Sequence, residues 1–166
     1  MNVKLLEVSG INRAVTCALF TVGKKKLKRD TNGWVRDIAL AEHSPIREIS
    51  FWFECHDIPN FVVNHIVRHN AGFNPYVRSN RGDITGINDE DINRLTPTSI
   101  MFTVNLQALI NISRKRLCRK SHQKTIEFWQ KVVSAVEEEC PHLVGLCMRE
   151  CDYRGFCPEM NKCKEI

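Results

Sequence analysis

The stretch with the most chemical capacity is "IVRHNAGFNPYVRSNRGD", residues 66–83, which gathers Arg68, Arg78, Arg81, His69 and Asn70, Asn74 and Asn80 behind an apolar run. Planar guanidinium groups grip phosphate oxygens in pairs, so this composition suits an anionic ligand. No Gly-rich phosphate loop is present, since Gly72, Gly82 and Gly86 are too scattered. Phosphate binding must then come from side chains, and Arg68, Arg78, Arg81 and Arg116 are the candidates, with Ser79, Asn74 and His69 beside them. For any single arginine, a solvated basic loop is the competing reading.

A second set lies in "NLQALINISRKRLC". At helical spacing Asn105, Ile112 and Arg116 project from one side, and Gln107 and Asn111 from a neighbouring one. Amides at the start of a helix are poor helix formers unless they bind something, although Asn105 could equally be a cap. No nucleophile stands out. Cys17 and Cys55 fall on apolar faces and read as core. Cys118, between Arg116 and Arg119, has no partner base. His65 and His69, four residues apart, could ligate a metal, or one could serve structure while the other faces a ligand. Cys140, Cys147, Cys151, Cys157 and Cys163 form a cysteine-rich tail without a CxxC pair. Zinc ligands and reduced structural thiols both remain open for it.

These residues need elements to position them. "NVKLLEV" reads as a strand, "INRAVTCALFTV" as a helix, and "WVRDIALAEH" as a short helix ending before Pro45. "EISFWFEC" alternates, placing Ile49, Phe51, Phe53 and Cys55 on one face of a half-buried strand. "IPNFVVNHIVRH" follows as a helix, with Pro59 in its first turn. A polar loop is expected from Asn70 to about Leu95, long enough to be functional. "SIMFTV" is a further strand, and "NLQALINISRKRLC" and "SHQKTIEFWQKVVSAVEEEC" are the strongest helices. The expected fold class is α+β, a mixed or antiparallel sheet with long helices, in a single domain over 1–166 whose tail spans about 140–166.

Composition bounds the rest. The 166 residues are 43% hydrophobic, with a formal charge of +5. That suits one folded core and an anionic ligand, whether a small phosphate or a polynucleotide. No secretory h-region and no run of about 20 apolar residues is visible. Eight cysteines without a signal point to reduced thiols and a cytoplasmic protein with no membrane partner. The basic run Lys24–Arg29 reads as a solvated loop, and nucleic acid is an unlikely partner.

The segment "EISFWFECHDIPNFVVNHIVRHNAGFNPYVRSNR" resembles the signature region of flavin-dependent thymidylate synthases. That family carries R-H-R, seven residues, then S-x-R; here Arg68-His69-Asn70 precede Ser79-Asn80-Arg81 by eight residues. "HSPIREISFWFE" is similar to the S-x-x-E-H-x-x-F-x-F-type strand, with Arg47-Glu48 at the Glu-His positions. "VNLQALINISRKRLC" is similar to the family's N-x-R-x-x-x-N-x-x-x-x-R segment. "GFCPE" resembles tails of shorter members, and the resemblance covers roughly residues 42–125. It implies a divergent member: an α+β homotetramer with FAD between subunits and dUMP stacked on the flavin. Such an enzyme uses NADPH as reductant and methylenetetrahydrofolate as one-carbon donor, and it yields dTMP. Position by position, Arg68, His69, Asn70, Asn105, Gln107 and Asn111 would contact FAD. His65, Ser79, Arg81 and Arg116 would hold the nucleotide, with Arg116 also polarising the uracil ring. Asn70 and Gln107 stand where the family has arginines, and Pro75 or Tyr76 where it has a glutamate. These changes keep two alternatives open: a hydroxymethylase acting on dUMP or dCMP, and a catalytically silent binder of nucleotides or nucleic acid.

Overall fold

Phe51, Phe53 and Cys55 on one strand, and Ile100, Phe102 and Val104 on its neighbour, are all buried, whereas the residues between them are not. This period of two defines a sheet with one covered face. In the computed structural model, which describes residues 1–163, the chain runs β1 (Asn2–Ser9), α1 (Ile11–Thr21), α2 (Thr31–Leu40), a 3-10 turn (Ser44–Glu48), β2 (Ser50–Pro59) and α3 (Asn60–Ile66). It continues through β3 (Phe73–Val77), α4 (Gly82–Thr85), a 3-10 turn (Asp89–Asp91), β4 (Pro97–Asn105), α5 (Leu106–Arg116), α6 (Gln123–Glu139), a further 3-10 turn (Pro141–Leu143) and α7 (Glu150–Arg154). The four strands lie in the order β1-β2-β4-β3, with every pairing antiparallel. The α+β expectation with an antiparallel sheet is therefore met.

Aromatic packing joins the sheet to its helical layer. The Phe102 ring lies 5.0 Å from both Phe53 and Phe73 and 6.4 Å from Trp129 of α6. Each such ring buries roughly 150–250 Å², and its burial contributes about 1.5–3 kcal/mol. The indole N–H of Trp129 donates to Ser113 Oγ at 2.8 Å, and that hydroxyl donates to the Leu109 carbonyl at 2.7 Å. Ser113 thereby fastens α6 to α5 with no buried donor left over. Leu106, Leu109, Ile110 and Ser113 form the stripe that α5 turns inward, as its periodicity predicts.

The long polar segment from Asn70 to Leu95 is not all loop. Phe73–Val77 forms strand β3, pairing Phe73 with Val104 and Val77 with Ile100. Pro75 argues against a central strand but is compatible with an edge, where its missing N–H breaks no ladder. Cys17 is a second correction. It is exposed, because α1 turns only Ala14 fully inward. No helix among the described residues is long and apolar enough to cross a membrane.

Candidate active site

The final turn of α5 carries Arg114, Lys115 and Arg116, favourable cations at a helix C-terminus. Arg116 is half-buried, and its Nε–H donates to Nε2 of His69 at 2.9 Å, joining residues 47 apart in sequence. The acceptor role fixes the tautomer, so His69 carries its proton on Nδ1 and stays neutral. Burial pushes the His69 imidazole down to about 4, and the Arg116 charge adds to this. Burial also lowers Arg116 from its ordinary value, with the Arg68 charge second. The two halves of the predicted site, the Arg68-His69 pair and the Arg116 helix, thus meet.

His65, one turn before His69, bonds through Nδ1 to Thr125 Oγ1 at 3.1 Å near the start of α6. Its pKa falls through burial, then through the charges of Arg116, Arg68, His122 and Arg94 in that order. The Phe61 ring is edge-on to His65 at 5.6 Å and to His122 at 4.6 Å, and Arg94 sits over it at 4.9 Å. Three arginines and three histidines therefore crowd the junction of α3, α5 and α6. Among the described residues, none of Arg68, Arg94 and Arg116 has a carboxylate partner. Half-buried Arg116 flanked by exposed Arg68 and Arg94, with no carboxylate among them, is an anion site by charge.

The remaining predicted site residues have other positions. Asn105 caps α5: its Oδ1 accepts from the Ala108 N–H at 2.8 Å, and its own N–H donates to the Gly72 carbonyl at 2.9 Å. Gln107 donates to Glu42 Oε2 at 3.1 Å, away from the cationic group. Asn111 and Asn70 are exposed. Ser79 Oγ accepts from the Arg81 N–H at 3.3 Å, while the exposed Arg81 side chain forks onto Asp83 at 2.9 and 2.7 Å. No hydrogen bond or ion pair among the described residues links Ser79 or Arg81 to Arg116 or His69. Sequence reading also missed Glu42, held in left-handed backbone (φ 51), which binds both Gln107 and Arg114. The Arg114 bond holds its carboxyl below the usual range. Arg114 in turn lies 3.7 Å from the ring centre of Tyr153. The signal for this tie was Arg114 on the inward side of an otherwise basic turn.

The thiols divide. Burial pushes Cys55 and Cys147 up to about 12 and raises Cys140 as well, so these three are protonated packing groups at neutral pH. Cys118, Cys151, Cys157 and Cys163 line a different pocket beyond the end of α5. As they stand, no three histidine, cysteine or carboxylate side chains among the described residues are grouped closely enough to hold a metal ion, and this includes His65 and His69.

The four-stranded antiparallel sheet with its helical layer has the fold of solved flavin-dependent thymidylate synthases. A crystal structure of the Helicobacter pylori enzyme, ThyX, complexed with FAD and dUMP superposes with a TM-score of 0.74, covering 90% of this chain and 100% of that one at 10% identity. PolB from Streptomyces cacaoi, a UMP/dUMP methylase solved with 5-Br dUMP, superposes with a TM-score of 0.67 at 16% identity, covering 93% and 95%. At these identities the likeness is one of fold. No protein-family profile and no curated protein matches the sequence.

Proposed function

We propose that this chain is a divergent flavin-dependent thymidylate synthase, transferring the one-carbon unit of methylenetetrahydrofolate to C5 of dUMP to give dTMP. The observation that carries this reading is the Arg116–His69 bond inside a carboxylate-free cationic group, on a fold whose solved relatives bind dUMP or its bromo analogue. The donor set fits both ligands, because FAD and dUMP are phosphate-bearing and the junction offers guanidinium groups with no internal counter-charge. FAD, when bound, supplies the redox chemistry that reduces the transferred carbon, with NADPH as its reductant.

The chain's own residues bind and orient. Arg116 gives its Nε–H to His69, which leaves its two terminal nitrogens available to the nucleotide. Held so, the guanidinium stabilises negative charge developing on the pyrimidine during attack from C5. His69 remains an acceptor at neutral pH and keeps Arg116 in register. Arg68 and Arg94 add charge for phosphate oxygens, and His65 is positioned by Thr125. Asn111, Asn70, Ser79 and Arg81 join the site by ligand contact or from a neighbouring copy, in keeping with a homotetramer. In this proposal Asn105 supports the site by capping α5, and Gln107 by holding Glu42.

The test is titration of purified protein with FAD and dUMP, followed by turnover on addition of methylenetetrahydrofolate and NADPH. Saturable flavin binding and a product heavier than dUMP by one CH₂, a methyl in place of the C5 hydrogen, are expected. A product carrying a hydroxymethyl group would indicate the hydroxymethylase instead, and protein binding neither ligand would overturn the reading. Arg116→Ala should weaken dUMP binding about 10- to 100-fold, the worth of a charge-assisted hydrogen bond. It should do so without loss of the far-UV circular dichroism.

A further inference from the structure

The polypeptide after α7 has little to hold it. Residues 155–163 form no helix or strand, and Phe156 and Met160 point into solvent. Cys157 is the buried exception. It lines a pocket that also receives Cys151 from α7, Cys163 from the tail and Cys118, two residues past the end of α5. Four thiols from four positions spread over 45 residues of sequence thus reach the lining of one pocket, and none is in a disulfide. The free volume of the pocket is about 20 Å³, the scale of one ion or water.

The charged groups around this pocket are mostly engaged. Arg114 binds Glu42, Arg149 binds Asp152 at 2.6 Å, and Glu150 binds Arg154. Cys151 makes one long contact, 3.9 Å, to Asp152. The buried Nε–H of Arg114, which also lines the pocket, has no hydrogen-bond partner. Such an orphan donor points to an acceptor that the metal-free chain does not supply. Glu150 and Glu159 also line the pocket, but the four sulfurs outnumber these hard donors, and a mostly soft donor set favours a tetrahedral thiophilic cation. A divalent ion held by four thiolates carries a net charge of −2, which suits a lining of three arginines against two glutamates and gives the Arg114 Nε–H a sulfur acceptor.

We propose that Cys118, Cys151, Cys157 and Cys163 form a structural zinc site that ties the tail and α7 to the end of α5. The thiols line the pocket without yet surrounding one point, so binding draws the 155–163 segment inward by side-chain rotation and a short backbone movement. Each thiol that binds releases its proton to solvent, and no electron is transferred.

Reduced, metal-free full-length protein, titrated with Zn²⁺ alone, should bind one equivalent. The thiols that react with an aromatic disulfide reagent under native conditions should then fall by the exposed members of this set. Co²⁺ in place of Zn²⁺ should give a thiolate charge-transfer band with the visible bands of tetrahedral cobalt. Cys163→Ser and Cys118→Ser, neither at a fully buried position, should each lose the cobalt spectrum while keeping the native circular dichroism. Exposed Cys17→Ser should leave the spectrum unchanged. Failure to bind Zn²⁺ in the reduced chain would overturn the site. A disulfide among these four cysteines in protein purified without oxidant would overturn it too, as would a cobalt spectrum that survives both Cys163→Ser and Cys118→Ser.

Discussion

One nitrogen of one histidine sets the electrostatics of the candidate site. Nε2 of His69 accepts from Arg116, and protonating it would put two cations 2.9 Å apart. The folded-state pKa of about 4 lies below the ordinary 6.5. Between these values the unfolded chain binds the proton and the folded chain does not. The contribution of His69 to stability is therefore complete above pH 6.5 and is lost progressively as pH falls toward 4. An imidazole resonance followed by NMR should titrate with its midpoint near 4. A midpoint near 6.5 would show that the ring neither is buried nor accepts from Arg116. The pairing was legible in sequence only as a motif. Arg68-His69 and Arg116 announced themselves by residue type, but their hydrogen bond depends on how α3 and α5 lie against each other.

At the scale of elements, the start of α5 is fixed by a contact no spacing rule would reveal. Gly72 has φ +73, and a Cβ built on it would stand 2.4 Å from the Asn105 side chain. The same glycine accepts the Asn105 N–H through its carbonyl. Gly72→Ala must therefore adopt left-handed backbone and displace the α5 cap together, at about 1–3 kcal/mol for the backbone alone. A fall in melting temperature of roughly 2–4 °C per kcal/mol is expected for a chain of this size. An unchanged melting curve would mean the loop has room to move. The helices and the alternating strands β2 and β4 were readable because burial imposes its period on them. β3 was not, since "FNPYV" has one buried side chain, and the turns flanking it are polar like the loop expected there. Cys17 misled because α1 is amphipathic with a narrow buried stripe, so an apolar neighbourhood in sequence did not mean burial in space.

The whole molecule leaves one sheet face largely without a helical cover. Trp52 and Tyr76 are 40% and 69% exposed there, with Thr103 opposite Trp52 and Met101 opposite Tyr76. Large aromatics on an open face suit burial against a second copy, which the proposed homotetramer provides. Trp52→Glu combined with Tyr76→Glu should shift sedimentation from the assembly to the monomer while circular dichroism stays native. If the wild type already sediments as a monomer, the proposed sharing of a site between copies fails. The sequence foretold the α+β class and a mixed or antiparallel sheet, yet gave no hint of which strand face would lie open. Nor did it reveal that the four distant thiols would share a pocket. Both properties come from the order in which the chain visits the sheet.

The gathering of Arg68, Arg94 and Arg116 without a carboxylate among them has a thermodynamic corollary. Mutual repulsion at that junction opposes folding, and any multivalent anion that settles there relieves it. By mass action such an ion favours the native state over the unfolded one, in proportion to the logarithm of its concentration once the site fills. The ruggedness of this protein is thus partly borrowed from its solution, and a phosphate buffer would lend it what a zwitterionic one withholds.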